Sequence, residues 1–231
     1  MPFTIGPKTH NVSSPELRNL IGKFFSIQNW KNLYLTGGTC LAEYYFGHRT
    51  SQDMDLFTPD RNLFEEARMV LKDPSCFAAG TIAEIRGTPH LAQFLFTPGG
   101  PQKHDLPIKI DLMLDIPVRF APPLQVASVW IDSLEDLLAN KLGCLIQRED
   151  VKDYLDIYYL IPAAKLSIKE IMETGRRKDA GLDPLIVAHQ INFILDKGVP
   201  EKALLGKTDW SDLQRFFRDF QSECLELIRP R

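Results

Sequence analysis

Cysteine is scarce and widely spaced: Cys40, Cys76, Cys144 and Cys224 are the only four in 231 residues, and none forms a C-x-x-C pair. That spacing excludes a zinc knuckle and a disulfide framework, leaving four free thiols expected mostly in the interior. Long apolar runs are missing too, since no stretch approaches the roughly 18 residues of a membrane span. The opening MPFTIGPKTHNVSSPELRN sets no apolar segment behind a basic start, so a cytoplasmic protein with no membrane partner is expected. There is no excess charge of one sign: the formal net charge of −3 excludes a large basic field for nucleic acid but leaves room for a local basic groove. No serine or cysteine lies in a nucleophile elbow, which argues against acyl-transfer hydrolysis. His48, His90, His104 and His189 lack ligand spacing and read as surface or internally satisfied histidines. Repeats and low-complexity tracts are absent, and Arg229-Pro230-Arg231 is too short for a binding tail.

What is present is core. Hydrophobic residues make up 44% of the chain, enough for one large domain or two small ones, and the patterning favours two. A first helix is predicted after the Ser13-Ser14-Pro15 cap, with Leu17, Leu20, Ile21 and Phe24 on one face. A short strand over Leu33 to Leu35, a Gly-Gly turn, a compact helix ending near Gly47 and a strand over Asp53 to Phe57 follow. A helix over Asn62 to Leu71 precedes a hairpin of Thr81 to Arg86 and Leu91 to Phe96. A flexible loop over Thr97 to Asp105 then leads to a strand on which Ile108, Ile110, Leu112 and Leu114 alternate with Lys109, Asp111 and Met113. After the proline-rich bend Pro117 to Pro123 nearly every segment reads as helix. The expected division is residues 1–120 as an α/β core and 121–231 as a helical domain.

The strongest chemical signal is the block Gly37-Gly38-Thr39, Arg49, Ser51 and Asp53-Met54-Asp55. On a strand Asp53 and Asp55 project from one side, with α-carbons about 6.6 Å apart, so both carboxylates can reach one divalent ion. Two like charges this close repel, and a dication between them is the natural compensation. Upstream, a glycine turn opening a helix offers free amides and the positive helix end to a phosphate, while Thr39 offers a hydroxyl or a cap. Taken singly, a solvated D-x-D and an ordinary tight turn are the plainer accounts; together they point to metal-assisted phosphoryl chemistry. Asp111 is the third acid, able to bind a second ion or take a proton; Asp115 is the rival, better read as a cap or turn residue.

In the helix from Ser133 to Gln147, Lys141 falls within a stripe of leucines, with Arg148 near the same direction. Two accounts fit: a snorkelling stem, or cations facing a phosphate. On the next helix, Val151 to Ile161, the polar residues Lys152, Asp153 and Asp156 share one stripe. Asp153 and Asp156 either orient Lys141, Arg148 or a nucleotide, or simply face water.

The ordered segments L-T-G-G-T-C-L-A, R-T-S-Q-D-M-D-L-F, K-I-D-L-M and K-L-G-C-L-I-Q-R-E-D-V-K-D-Y-L-D resemble the AbiEii/AbiGii nucleotidyl transferase toxin family, within the polymerase-β-like superfamily, over residues 30 to 160. The resemblance implies an α+β fold: a polymerase-β-like nucleotidyltransferase core of mixed sheet with flanking helices, plus a C-terminal helical domain. It also implies a Mg²⁺ site at Asp53, Asp55 and Asp111. The catalytic set adds Lys141 and Asp153, and nucleotide contacts fall to Gly37, Gly38, Thr39, Ser51, Lys141, Arg148, Lys152 and Asp156. The implied partners are a nucleoside triphosphate, a transfer RNA acceptor and a cognate antitoxin. A D-x-D glycosyltransferase would lack the upstream Gly-Gly turn and the later Lys-Asp helix. A non-catalytic nucleotide-binding module of the same fold is the alternative from another class.

Overall fold

Ser14 starts the first helix by accepting a hydrogen bond from the Leu17 amide, and Pro15 fits the first turn, where no amide partner is needed. In the computed structural model, which describes residues 3, 5–77, 80–99, 106–200 and 206–229, this helix is α1 (Pro15–Ile27), with Leu17, Leu20, Ile21, Phe24 and Phe25 buried. Residues 100–105 of the expected flexible loop, His104 among them, and the terminal Pro230 and Arg231 lie outside the described residues.

The chain forms two units, one of Pro7–Gly47 and Ser51–Ser133, the other of Met1–Gly6, His48–Thr50 and Leu134–Arg231. In the first unit β1 (Tyr34–Thr36) runs directly into α2 (Gly37–Leu41), which continues as a π-helical turn, Ala42–Phe46, and stops at Gly47 in the left-handed conformation. Buried Glu43 fixes that turn by accepting from the backbone amides of Asn11, Val12 and Ser13 at 2.6 to 3.0 Å. Then follow β2 (Met54–Thr58), α3 (Arg61–Lys72), the hairpin β3 (Gly80–Gly87) with β4 (Leu91–Pro98), and β5 (Ile108–Leu114). Two short strands close the sheet, β6 (Leu124–Val126) and β7 (Val129–Ile131). The sheet therefore continues past the proline-rich bend, and helix resumes only at Leu134.

The sheet has seven strands in the order β3-β4-β5-β2-β1-β7-β6 and is mixed: β2 pairs parallel to β5 and β1 parallel to β7, while β1–β2, β3–β4, β4–β5 and β6–β7 are antiparallel. Alternation decides its faces. Met54, Leu56, Ile108, Ile110, Leu112, Ala92, Phe94 and Phe96 are buried, which turns Asp55, Asp111 and Gln93 to the opposite side.

The second unit contains α4 (Leu134–Gln147), α5 (Val151–Ala164), α6 (Ile168–Lys178), α7 (Pro184–Asp196) and α8 (Trp210–Glu226). Its core is the leucine stripe of α4 with Tyr154, Leu160, Ile171, Val187, Ile191, Leu213 and Phe217, all buried. Among the described residues no helix is long and apolar enough to cross a membrane. All four cysteines are free; Cys40 and Cys224 are buried and the other two half-buried.

Candidate active site

Register assembles the polar row. Thr36 of β1 pairs with Asp55 of β2, Asp55 with Asp111 of β5, and Asp111 with Gln93 of β4. In-register residues share a face, so one line of side chains crosses four strands. Asp53 lies one residue ahead of β2 and two before Asp55, which keeps it on the same side as an exposed residue. The same step along β5 brings Lys109 alongside Asp53, because Met54 pairs with Ile110. Gln93 donates to Asp111 at 3.0 Å, and Lys109 Nζ lies 2.7 Å from the other Asp111 oxygen. Asp115, the rival acid, directly follows the end of β5 and accepts from the Tyr34 hydroxyl and the Ile116 amide.

The glycine turn meets this row directly. Gly37 has φ of 68°, and a Cβ there would collide with Asp55 Oδ2. Only glycine satisfies both conditions. The Thr39 hydroxyl, expected to serve a phosphate or cap a helix, donates to the Asp53 backbone carbonyl and ties α2 to the entry of β2. Beneath the turn, Thr36 donates to buried Asp132 at 2.7 Å, which also takes Arg119 at 2.8 Å. Arg119 in turn covers the Tyr34 ring at 4.1 Å.

A second cluster lies within the helical unit. Lys141 Nζ is 2.7 Å from Asp153 and 2.6 Å from Asp156. Asp156 also accepts from Arg49 through two bonds of 2.8 Å and pairs with His48 at 2.8 Å. Arg148 reaches Asp153 at 2.6 Å. Burial alone would lower the Lys141 pKa, but Asp156 and Asp153 outweigh it and hold the ammonium above the ordinary lysine value. Burial likewise works against Asp156, and Lys141, Arg49 and His48 hold its carboxyl well below the usual range. Asp153 is held low against its own burial by Arg148 and Lys141. For His48 desolvation is the largest influence, and it lowers the pKa although the Asp156 hydrogen bond and charge act to raise it. The account in which Asp153 and Asp156 face water is overturned, since both are fully buried, whereas Lys152 is exposed.

The expected site residues thus fall into two sets. Gly37, Gly38, Thr39, Ser51, Asp53, Asp55 and Asp111 lie in the sheet unit, and Lys141, Arg148, Lys152, Asp153 and Asp156 in the helical unit. Among the described residues no three or more His, Cys, Asp or Glu are gathered as a metal-holding group. Lys109 stands within the acid row instead.

Residues 27–226 match the family model of the AbiEii nucleotidyl transferase toxin of type IV toxin–antitoxin systems. The chain belongs to this family. As an AbiEii-family nucleotidyltransferase it is 23% identical over 213 residues to an uncharacterised protein of Aquifex aeolicus, covering 91% of this chain and 97% of that one. Its fold is shared by a candidate nucleotidyltransferase of H. pylori, with a TM-score of 0.57, 16% identity and coverage of 93% and 95% of the two chains. It is also shared by MenT4, a nucleotidyltransferase toxin of Mycobacterium tuberculosis, with a TM-score of 0.57, 13% identity and coverage of 89% and 83%.

Sequence reasoning gave no role to Lys109, Gln93, Asp132 or His48, and placed Arg49 in the glycine–aspartate block without its partner Asp156. Lys109 carried a usable signal, two residues from an acid on the same strand face. Asp132 and His48 carried none, because their partners are distant in sequence.

Proposed function

We propose that this AbiEii-family enzyme is Mg²⁺-dependent and moves a nucleoside monophosphate from a nucleoside triphosphate to a hydroxyl of transfer RNA, under control of a cognate antitoxin. The observation that carries this reading is the registered pair Asp55–Asp111, with Asp53 beside it and Gly37 against Asp55. Hard oxygen donors suit magnesium, and one or two carboxylates plus substrate phosphates are its usual company. Asp53 and Asp55 would hold the ion and Asp111 would complete the set. When bound, magnesium would neutralise phosphate charge and orient the reacting phosphorus.

The amides of Gly37 and Gly38 are assigned to the triphosphate, because a residue without Cβ lets the chain approach closely. The acceptor oxygen attacks the α-phosphorus in line, the bond to pyrophosphate breaks, and the hydroxyl proton passes to solvent. Positioning and charge neutralisation supply the acceleration. In the helical unit, the Arg148 side chain is 57% exposed whereas that of Lys141 is 7% exposed and shared by two carboxylates. Arg148 is therefore the more accessible cation of this unit, and Lys141, Asp153 and Asp156 hold the cluster together.

The test incubates the protein with labelled triphosphates and total RNA. Labelled transfer RNA and released pyrophosphate are expected, and both should fall by on the order of 10²-fold or more in Asp53→Asn and Asp55→Asn. Unchanged transfer in both variants refutes the metal-pair assignment. Tight Mg-nucleotide binding with no turnover across a screen of RNA and protein acceptors would favour the non-catalytic alternative.

A further inference from the structure

Lys109 brings an ammonium group into a row of three acids. Its Nζ lies 2.7 Å from Asp111 Oδ2, and the side chain is 43% exposed while that of Asp111 is 16% exposed. Extending the Met54–Ile110 register by one step sets Lys109 beside Asp53, and Asp55 is the direct neighbour of Asp111. A lysine side chain is ordinarily cationic near neutral pH.

A divalent ion bound to Asp111 and the Lys109 ammonium cannot share one carboxylate oxygen without strong repulsion. Lysine has a flexible four-carbon stem, and this one is partly in solvent, so its head can move while its base stays packed. An anionic phosphate arriving with the metal offers the displaced ammonium a new partner.

We propose that Lys109 is a positioning residue that serves as an internal counter-cation. It competes with a divalent ion for Asp111 and transfers to the nucleotide phosphates when metal and nucleotide arrive together. The consequence is linkage: the metal alone binds weakly, and metal with nucleotide binds well. This rests on the assignment of Asp53 and Asp55 as the metal pair.

The experiment measures Mn²⁺ binding to the full chain by electron paramagnetic resonance, with and without a non-hydrolysable triphosphate analogue. Wild type, Lys109→Met, Lys109→Arg and Asp55→Asn are compared, with folding checked by circular dichroism. Lys109→Met should bind Mn²⁺ alone on the order of tenfold tighter than wild type, the low end expected for removing one partly exposed charge. It should also lose most of the tightening that the analogue gives wild type, and Lys109→Arg should behave like wild type. Equal affinity of Lys109→Met and wild type for Mn²⁺ alone, or loss of Mn²⁺ binding in Lys109→Met, overturns the proposal. If Asp55→Asn abolishes Mn²⁺ binding in either case, only the lysine's role has failed. If Asp55→Asn binds Mn²⁺ as wild type does, the metal pair itself is wrong.

Discussion

Gly37 and Asp55 occupy each other's steric limits: any side chain at 37 would run into the carboxylate oxygen of residue 55. The first residue of the glycine turn and the strand acid are thus fitted to one another, and a change at one is felt at the other.

Gly37→Ala carries two penalties, a left-handed backbone conformation at a residue with Cβ and the collision with Asp55. The first lowers stability by about 1–2 kcal/mol, read as a shift in urea midpoint. Displacing the carboxylate by a fraction of its length reduces transfer on the order of 10²-fold. A Gly37→Ala enzyme with wild-type turnover would show that Asp55 does not need this position.

Thr39→Val removes the hydroxyl that holds the Asp53 carbonyl while keeping the shape of the side chain. Stability should fall by about 1 kcal/mol, and half-maximal activity should require more Mg²⁺ than in wild type, with Thr39→Ser near normal. A magnesium titration of pyrophosphate release distinguishes this role from direct phosphate contact, which would raise the nucleotide KM instead.

Asp156→Asn leaves Lys141 and Arg49 buried with half their counter-charge gone. Removing one partner of a buried ion pair costs about 3–5 kcal/mol, so chemical denaturation followed by circular dichroism should show a large loss. Lys152→Ala, on the exposed side of α5, should change stability by no more than about 0.5 kcal/mol. Equal effects of the two variants would contradict the buried cluster.

The pH dependence follows from the same carboxylates. Asp153 and Asp156 have folded pKa values below the ordinary one. Their contribution is therefore full above the unfolded aspartate pKa of about 3.9 and is lost as pH falls toward the folded values. The stability gap between wild type and Asp156→Asn should be constant from neutral pH down to about 5 and shrink below about 4. A gap that widens on acidification would reverse the assigned sign.

Much of the sheet unit was legible because its signals are local. Alternation in Ile108 to Leu114 announced β5, and the α1 cap and apolar face were read from a few residues. The strands β6 and β7 escaped because three residues each give no period to read. The π-helical turn Ala42–Phe46 was read only as a short helix, since the bonds that Glu43 accepts within it come from amides about thirty residues upstream. Lys141 was recognised as a cation in a leucine stripe. Its pairing with Asp153 and Asp156 was one of the accounts the spacing allowed, and packing decided between them.

The sequence by itself determined the acid pair, the glycine turn and the family, since these depend on residue type and near-neighbour order. Only the tertiary structure decided that Asp111 stands level with Asp55, that Lys109 lies among the acids, and that Asp156 binds a histidine and an arginine more than a hundred residues earlier. Strand register and helix packing are set by long-range burial, and a one-residue slip would have turned each of these strand side chains to the other face.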